Sequence, residues 1–261
     1  MARICTLASG SGGNSTYITT TDGDILIDAG ISAKALVEAI AQVGDVARLR
    51  AVAITHTHTD HIKGLKTFLK KFNVPLIASS DTLVTLCKSD MIPVGANTIV
   101  ADNGIITIGD IAVDFFATSH DAVGSGGYVI HMPDGRRAAV CTDLGVMTDA
   151  VRQKLLGCNA IVLESNHDVE MLRKGPYPAE LKLRILSDLG HLSNNACAIE
   201  LPSLLKSGCS RIILGHISAE NNSPLLARQA ATASLGQAGA QDGIDYILET
   251  AKPKTVGVTV F

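Results

Sequence analysis

Residues 55–61 read T-H-T-H-T-D-H and follow directly on the apolar, strand-like run Leu49–Ile54. In an extended segment side chains alternate with period two, so His56 and His58 point to the same side and both imidazoles reach one ion. Asp60 and His61 fall where the chain must turn, just before the helical pattern Ile62–Phe72. Their side chains are therefore aimed elsewhere, which predicts a second ion. The competing explanation, four polar residues on a solvated loop, leaves both the ligand types and their spacing to chance, so the motif reads as a metal site.

Other isolated polar residues share this placement just past an apolar strand. His120 follows Val113–Ala117, Asp143 follows Ala138–Cys141, Glu164 with His167 follows Ile161–Leu163, and His216 follows Arg211–Leu214. Strand ends converge at one rim of a sheet, where the active sites of layered α/β folds collect. Side chains from distant sequence are thus expected to meet in one pocket. The glycine-dense loop Ser9–Asn14 lacks the Lys-Ser/Thr of a phosphate-binding loop and is followed by a strand pattern. A tight strand-to-strand turn is the preferred reading there over direct ligand contact.

The elements that must position these residues are legible from periodicity and turn chemistry. Strands are predicted at Arg3–Leu7, Thr16–Thr20 and Ile25–Asp28, with the hairpin signal Asp22-Gly23 between the last two. A helix is predicted over Ser32–Val43, with Ser32 as N-cap and Gly44 as its stop. Further strands fall at Leu76–Ala78, Ile105–Ile108, Ile111–Ala117, Tyr128–His131, Arg137–Cys141, Ala160–Leu163 and Arg211–Leu214. Further helices fall at Asp149–Leu156, Ala179–Leu189, Asn194–Lys206 and Pro224–Leu235. This order suggests two packed sheets with helices outside, a layered α/β arrangement. No Pro/Gly/Ser-rich or charge-run linker divides the 261 residues, so one domain spanning 1–261 is expected.

Composition narrows the class. Hydrophobic residues make up 46% and charged residues 18%, which excludes a disordered chain. A net charge of −3 argues against non-specific coating of nucleic acid, which needs broad basic surfaces. Two local sets remain, Lys63, Lys66, Lys70 and Lys71 after the metal motif and Arg173, Lys174, Lys182 and Arg184 further on, each either substrate-facing or simply solvated. The six cysteines form no C-x-x-C pair and several sit in apolar runs, so buried free thiols are expected. No apolar run reaches membrane-spanning length and Met1–Leu7 lacks a signal-peptide layout, so a cytoplasmic location without a membrane partner is expected.

The motif H-T-H-T-D-H, the lone His120, Asp143 in C-T-D-L-G and His216 in L-G-H-I-S together resemble the metallo-β-lactamase superfamily of binuclear metallohydrolases, in order and spacing across almost the whole chain. A-S-G-S-G-G-N at 8–14, S-H-D-A at 119–122, L-E-S-N-H-D at 163–168 and G-H-L-S-N-N at 190–195 resemble the YycJ-like (WalJ-like) branch, which is linked to DNA exonuclease activity. The resemblance implies an αββα four-layer sandwich. It assigns His56, His58 and His120 to one metal and Asp60, His61 and His216 to the other, with Asp143 bridging both. Imidazoles and carboxylates suit two divalent ions, Zn²⁺ as the expected metal and Mn²⁺ as the alternative. An aspartate at the bridging position resembles the hydrolases of phosphodiesters and thioesters and disfavours antibiotic hydrolysis.

The function expected is that of a binuclear metal-dependent phosphodiesterase, a nuclease trimming nucleic acid ends with a metal-bridging hydroxide as nucleophile. Two divalent cations, two ionised aspartates and one hydroxide leave the centre at about +1, which attracts an anionic phosphodiester. Asp60 and His191 are the candidate catalytic residues, His191 as the acid that protonates the leaving alkoxide. The competing reading of His191 is a part of the helix-start cap beside Ser193. Glu164 and His167, with Ser193 and Asn194, are expected to contact substrate or to orient ligands from behind, or to form a hydrogen-bonded structural pair. His131 belongs to no such motif and is expected to be structural. One alternative is hydrolysis of a small ester, thioester or cyclic phosphodiester by the same cage. A non-catalytic metal-binding sensor or scaffold is the other, which the full ligand set disfavours. Aromatic content of 3% without tryptophan predicts a short grip on a few phosphates in place of a broad base-stacking platform.

Overall fold

The structure, a computed structural model, describes residues 2–261. Strands β1 (Arg3–Ala8), β2 (Ser15–Thr19), β3 (Asp24–Ile27), β4 (Leu49–Ala53), β5 (Leu76–Ala78) and β6 (Thr98–Val100) form one sheet in sequence order. Strands β7 (Ile106–Ile108), β8 (Ile111–Ala117), β9 (Gly126–His131), β10 (Arg137–Cys141), β11 (Ala160–Glu164), β12 (Arg211–Gly215) and β13 (Ile247–Thr250) form a second, also in sequence order. The last strand, β14 (Gly257–Val260), returns to the first sheet and pairs antiparallel with β1, Arg3 opposite Val260.

Three apolar clusters divide the molecule into four layers. Along β3, Ile25 and Ile27 enter the cluster between the sheets, where they meet Val113, Ile130, Val140 and Val162 of the second sheet. Leu26, one residue out of phase, points the other way and packs with Leu36 and Ile40 of α1 (Ala33–Ile40) and with Phe68. Phe68 lies in α3 (Leu65–Phe72), and Leu86 of α4 (Ser80–Lys88) completes that outer layer. On the far side of the second sheet, Ile161, Leu163, Ile212 and Leu214 pack under α5 (Asp149–Leu155), α8 (Asn194–Lys206) and α9 (Pro224–Gln237). Both faces of each sheet are covered, which is why the central strands read as nearly unbroken apolar runs. The expected αββα sandwich is the observed architecture.

Strand direction brings the chemistry to one rim. β3 and β4 are parallel, as are β10, β11 and β12. β8 is antiparallel to β9 and β9 to β10, so β8 runs with β10. Within each sheet the C-terminal ends of these co-directional strands, β3 and β4 in one and β8, β10, β11 and β12 in the other, share an edge, and the polar residues that follow them meet there.

Several expectations are corrected by the fold. The helix expected at Ile62–Phe72 is two, α2 (Thr59–Ile62) and α3. Gly64 causes the break, since its N–H donates to the Ala29 carbonyl and a Cβ there would lie 2.1 Å from the Ile31 carbonyl oxygen. The first helix keeps Ser32 as its N-cap but stops at Ile40, and α7 (Ala179–Leu186) is shorter than expected. α4, α6 (Val169–Lys174), β6, β13 and β14 carried too short or too exposed an apolar pattern to be read. All six cysteines are free thiols, five of them buried, while Cys87 is exposed. Among the described residues no helix is long and apolar enough to cross a membrane.

Candidate metal centre

The rim collects the polar residues that follow each strand. Asp28 after β3, Asp143 after β10 and His216 after β12 all adopt left-handed backbone conformations, with φ of 62°, 59° and 52°. Such angles are uncommon outside glycine and cluster at functional sites. Here they swing the side chain off the strand end, across the rim, instead of letting the chain run on. α2 carries Asp60 and His61 in its single turn and docks by backbone: the Asp60 carbonyl accepts the Asn14 N–H at 2.7 Å and the His61 carbonyl accepts the Ala29 N–H at 2.8 Å. Gly30 permits this approach, because a Cβ there would stand 1.7 Å from the Asp60 carbonyl oxygen.

His56, His58 and His120 come together so that one ring nitrogen of each lies within 4.8 Å of the others. His58 Nδ1 and His120 Nε2 face each other at 3.3 Å. His56 Nε2 is buried with no hydrogen-bond partner. Asp60, His61 and His216 form a second such group, with Asp60 Oδ2 3.6 Å from His61 Nε2 and 3.5 Å from His216 Nε2. Asp143 lies between the two: Oδ2 is 3.3 Å from His61 Nε2 and Oδ1 is 3.9 Å from His120 Nε2. That Oδ2 contact lacks hydrogen-bond geometry, so the oxygen is also buried and unpartnered. A buried polar atom left unpaired costs about 1–3 kcal/mol, so unpaired donors converging on common points fit divalent cations and little else. The donor set, imidazole and carboxylate without thiolate, is one that such cations accept.

A further candidate group joins Asp143, His191 and His216 to Glu164. Glu164 serves there as a hydrogen-bond acceptor. Its Oε1 accepts from Nδ1 of His191 at 2.9 Å and of His216 at 2.7 Å, and its Oε2 accepts the N–H groups of Leu144 at 3.2 Å and Leu192 at 2.9 Å. Other rings are held in the same way from behind. His61 Nδ1 donates to Asp28 Oδ2 at 2.7 Å, and His120 Nδ1 donates to the Gly190 carbonyl at 3.0 Å. Fixing the far nitrogen sets the tautomer and leaves the near one for coordination.

Charge follows the same division. Burial, and then the neighbouring imidazoles, push His56 well below its ordinary range, so it stays a neutral ligand. Burial opposes protonation of His61 too, yet the carboxylates of Asp143, Asp28 and Asp60 outweigh it and lift the ring to about 9. His216 is likewise driven up against burial, chiefly by Asp143. Burial would raise Asp60, but the His216 hydrogen bond and the charge of His61 bring it down to about 2. The carboxylates thus demand positive charge beside them, which a divalent ion supplies as well as protons do. His191 is raised, because Glu164 overcomes its burial.

The remaining expected residues separate. His191 lines the cavity and does not cap α8; that role belongs to Ser193, whose Oγ accepts the Ala196 N–H. Asn194 is buried in an amide network, accepting from Ser165 Oγ and donating to Asn222 Oδ1. His167 is buried with both ring nitrogens unpartnered, burial lowering it to about 4, so the alternative reading of a hydrogen-bonded pair with Glu164 is not what forms. His131 sits 3.8 Å from Asp114. Arg184 lines the cavity and pairs with Asp121. Arg173 and Lys174 pair with Glu170, Lys182 reaches the Arg173 carbonyl, and Lys66 pairs with Asp90.

The sequence reading does not reach Asp28 and Asp121. Asp28 carries the same signal as Asp143, a polar residue at a strand end, but reads as the last residue of its strand. Asp121, 3.5 Å from the Nε2 atoms of both His58 and His120, stands next to a residue already singled out. In the Ser9–Asn14 loop, the expected turn also braces the site. Asn14 Nδ2 donates to Asp60 Oδ2 at 3.1 Å, Ser9 Oγ accepts the His216 N–H at 2.8 Å, and Ser11 lines the cavity.

Two packed sheets with helices outside, and a histidine–aspartate cage at the shared rim, define a metallohydrolase of one large class. A family model described as a β-lactamase superfamily domain matches residues 24–217, and the chain belongs to the metallo-β-lactamase superfamily of metal-dependent hydrolases. It is similar to exodeoxyribonuclease YycJ of Bacillus anthracis, 37% identical over 253 residues that cover 95% of this chain and 94% of the relative. It is also similar to exodeoxyribonuclease WalJ of Streptococcus pneumoniae, 36% identical with the same coverage of both chains. Among solved structures, the metallo-β-lactamase fold protein YhfI from Bacillus subtilis superposes with a TM-score of 0.70 over 99% of both chains at 15% identity, a likeness of fold.

Proposed function

We propose that the chain is a binuclear metal-dependent phosphodiesterase that removes nucleotides from the ends of DNA, and that residues 1–261 act as one hydrolase domain. The observation that carries the reading is Asp143, which lies between the two groups: Oδ2 is 3.3 Å from His61 Nε2, and Oδ1 is 3.3 Å from His216 Nδ1 and 3.9 Å from His120 Nε2. Zn²⁺ is the ion best matched to so many imidazoles, with Mn²⁺ tolerated by the carboxylates. Two such ions would supply Lewis acidity towards a phosphate oxygen and lower the pKa of water enough to provide a nucleophile at neutral pH. Asp60, half-buried at the cavity wall, would hold the second ion and orient an attacking water from that side. His191 keeps Nδ1 on Glu164, which leaves Nε2 to carry a proton to the departing alkoxide. Such a positioned acid contributes about 10²–10⁴ in rate. The preference for DNA ends is supported by the names of the relatives at 36–37% identity.

The cavity, about 420 Å³, is the size of a single small-ligand site and would also admit a small ester or cyclic phosphodiester. A turnover screen separates these readings. Metal-reconstituted protein is offered end-labelled DNA, end-labelled RNA, simple phosphodiesters, thioesters and a β-lactam. Stepwise shortening of labelled DNA is the expected result. Turnover of thioester or β-lactam with no polynucleotide cleavage would overturn the phosphodiesterase reading.

A further inference from the structure

Part of the cavity lining is apolar and comes from one segment. Tyr177 and, on α7, Leu181 and Ile185 line the cavity at four-residue spacing, which places the two helical side chains on one face, with Arg184 beside them. α7 contributes no fully buried side chain, so core packing does not account for its presence. The chain's other tyrosines, Tyr17, Tyr128 and Tyr246, are at most 1% exposed, which leaves Tyr177 as the one phenol ring available to a ligand. Pro178 restricts the residue before it to extended backbone and serves as the helix N-cap, so the ring is mounted on a stiff position.

The wall is also fixed relative to the ligands. Arg184 pairs with Asp121, Ser119 Oγ donates to the Asp188 carbonyl at 2.6 Å, and the His191 N–H donates to the Ile185 carbonyl at 3.1 Å. The ring and aliphatic side chains offer a phosphate or sugar nothing, and Arg184 in the same wall is already paired with Asp121. A flat, weakly polar ring gains from them, and every nucleobase offers one. A cavity of about 420 Å³ has room for one nucleotide rather than a stretch of strand.

We propose that Tyr177, beside Leu181 and Ile185, is the platform on which the nucleobase of the strand's terminal nucleotide stacks while its phosphodiester is presented to His191 and the histidine–aspartate cage. This rests on the phosphodiesterase reading and adds the residue that recognises a strand end. Base–aromatic stacking corresponds to about 5- to 150-fold in kcat/KM.

The test is a cycle between protein and substrate on the metal-loaded full chain. Wild type, Tyr177→Phe and Tyr177→Ala are each assayed on a short single-stranded DNA and on the same strand made abasic at the attacked end. Strand affinity is followed separately by fluorescence anisotropy. On the ordinary strand Tyr177→Ala should lose about 5- to 150-fold, chiefly through KM, and Tyr177→Phe less than about threefold. On the abasic strand wild type and Tyr177→Ala should be equal, because the partner ring is already gone. Equal proportional losses on both strands, or a Phe variant as impaired as the Ala variant, would overturn the stacking role while leaving the phosphodiesterase reading intact. Absence of cleavage by wild type on every strand would remove that reading itself, and the platform with it.

Discussion

Glu164→Gln changes one carboxylate oxygen to an amide nitrogen and asks the whole hydrogen-bond logic of the site to respond. In the wild-type protein one fully buried carboxylate accepts four donors, two imidazole N–H groups on Oε1 and two backbone N–H groups on Oε2. Glutamine accepts on one side only. If its oxygen faces His191 and His216, its NH₂ faces the N–H groups of Leu144 and Leu192, and two buried donors lose their acceptor. At about 1–3 kcal/mol each, the cost is roughly 2–6 kcal/mol. If the amide is reversed, both rings must move their proton from Nδ1 to Nε2, which blocks the nitrogen that His216 points at Asp60. Loss of such an orienting partner costs about 10–100-fold in metal affinity or activity. A chain of this size loses about 2–4 °C of Tm per kcal/mol, so the first arrangement predicts a fall on the order of 10 °C. Thermal melts of the metal-loaded protein, metal content by mass spectrometry and turnover on the same sample distinguish the two arrangements. A variant with wild-type Tm, full metal content and unchanged activity would refute the reasoning, since no orientation of an amide satisfies all four donors.

Two further substitutions probe the cage. Asp143→Ala removes the group set between the two clusters, so two bound cations would lose both a shared anion and a fixed separation. Activity should fall below about a tenth of wild type with reduced metal occupancy by elemental analysis, and retention of both would contradict the bridging role. His191→Ala should lower kcat on DNA by about 10²–10⁴ with metal content unchanged. An activated aryl phosphodiester leaves without needing a proton and should be far less affected, so equal losses on both substrates would remove the acid role.

What the sequence made legible was carried by local pattern. The central strands of both sheets show as apolar runs because they are buried on two faces, while the short or exposed β6, β13 and β14 do not, and Ser32 announces α1 with its own side chain. Placing polar residues past strand ends brought His120, Asp143, Glu164 and His216 to one rim, because the parallel pairing of β10, β11 and β12 aligns their ends. Contacts made through backbone were not legible. Nothing local marks Gly64 as the place where a helix must break against Ile31, or Asn14 as a brace for Asp60 from 46 residues away. The left-handed turns at Asp28, Asp143 and His216 are likewise imposed by tertiary structure, since aspartate and histidine only tolerate that conformation. Ser193 and Asn194 are expected from sequence to contact substrate or to support ligands from behind, alternatives that a local polar pattern does not separate; their hydrogen bonds go to the α8 cap and to a buried amide network.

The central claim is that two cations share this rim, and counting them in place tests it most directly. Protein saturated with Zn²⁺ or Mn²⁺ and freed of excess metal by dialysis should contain two ions per chain. Anomalous scattering should place one among His56, His58 and His120 and the other among Asp60, His61 and His216, with Asp143 touching both. A single ion at saturation, or an ion held by Glu164 in place of either group, would contradict the account.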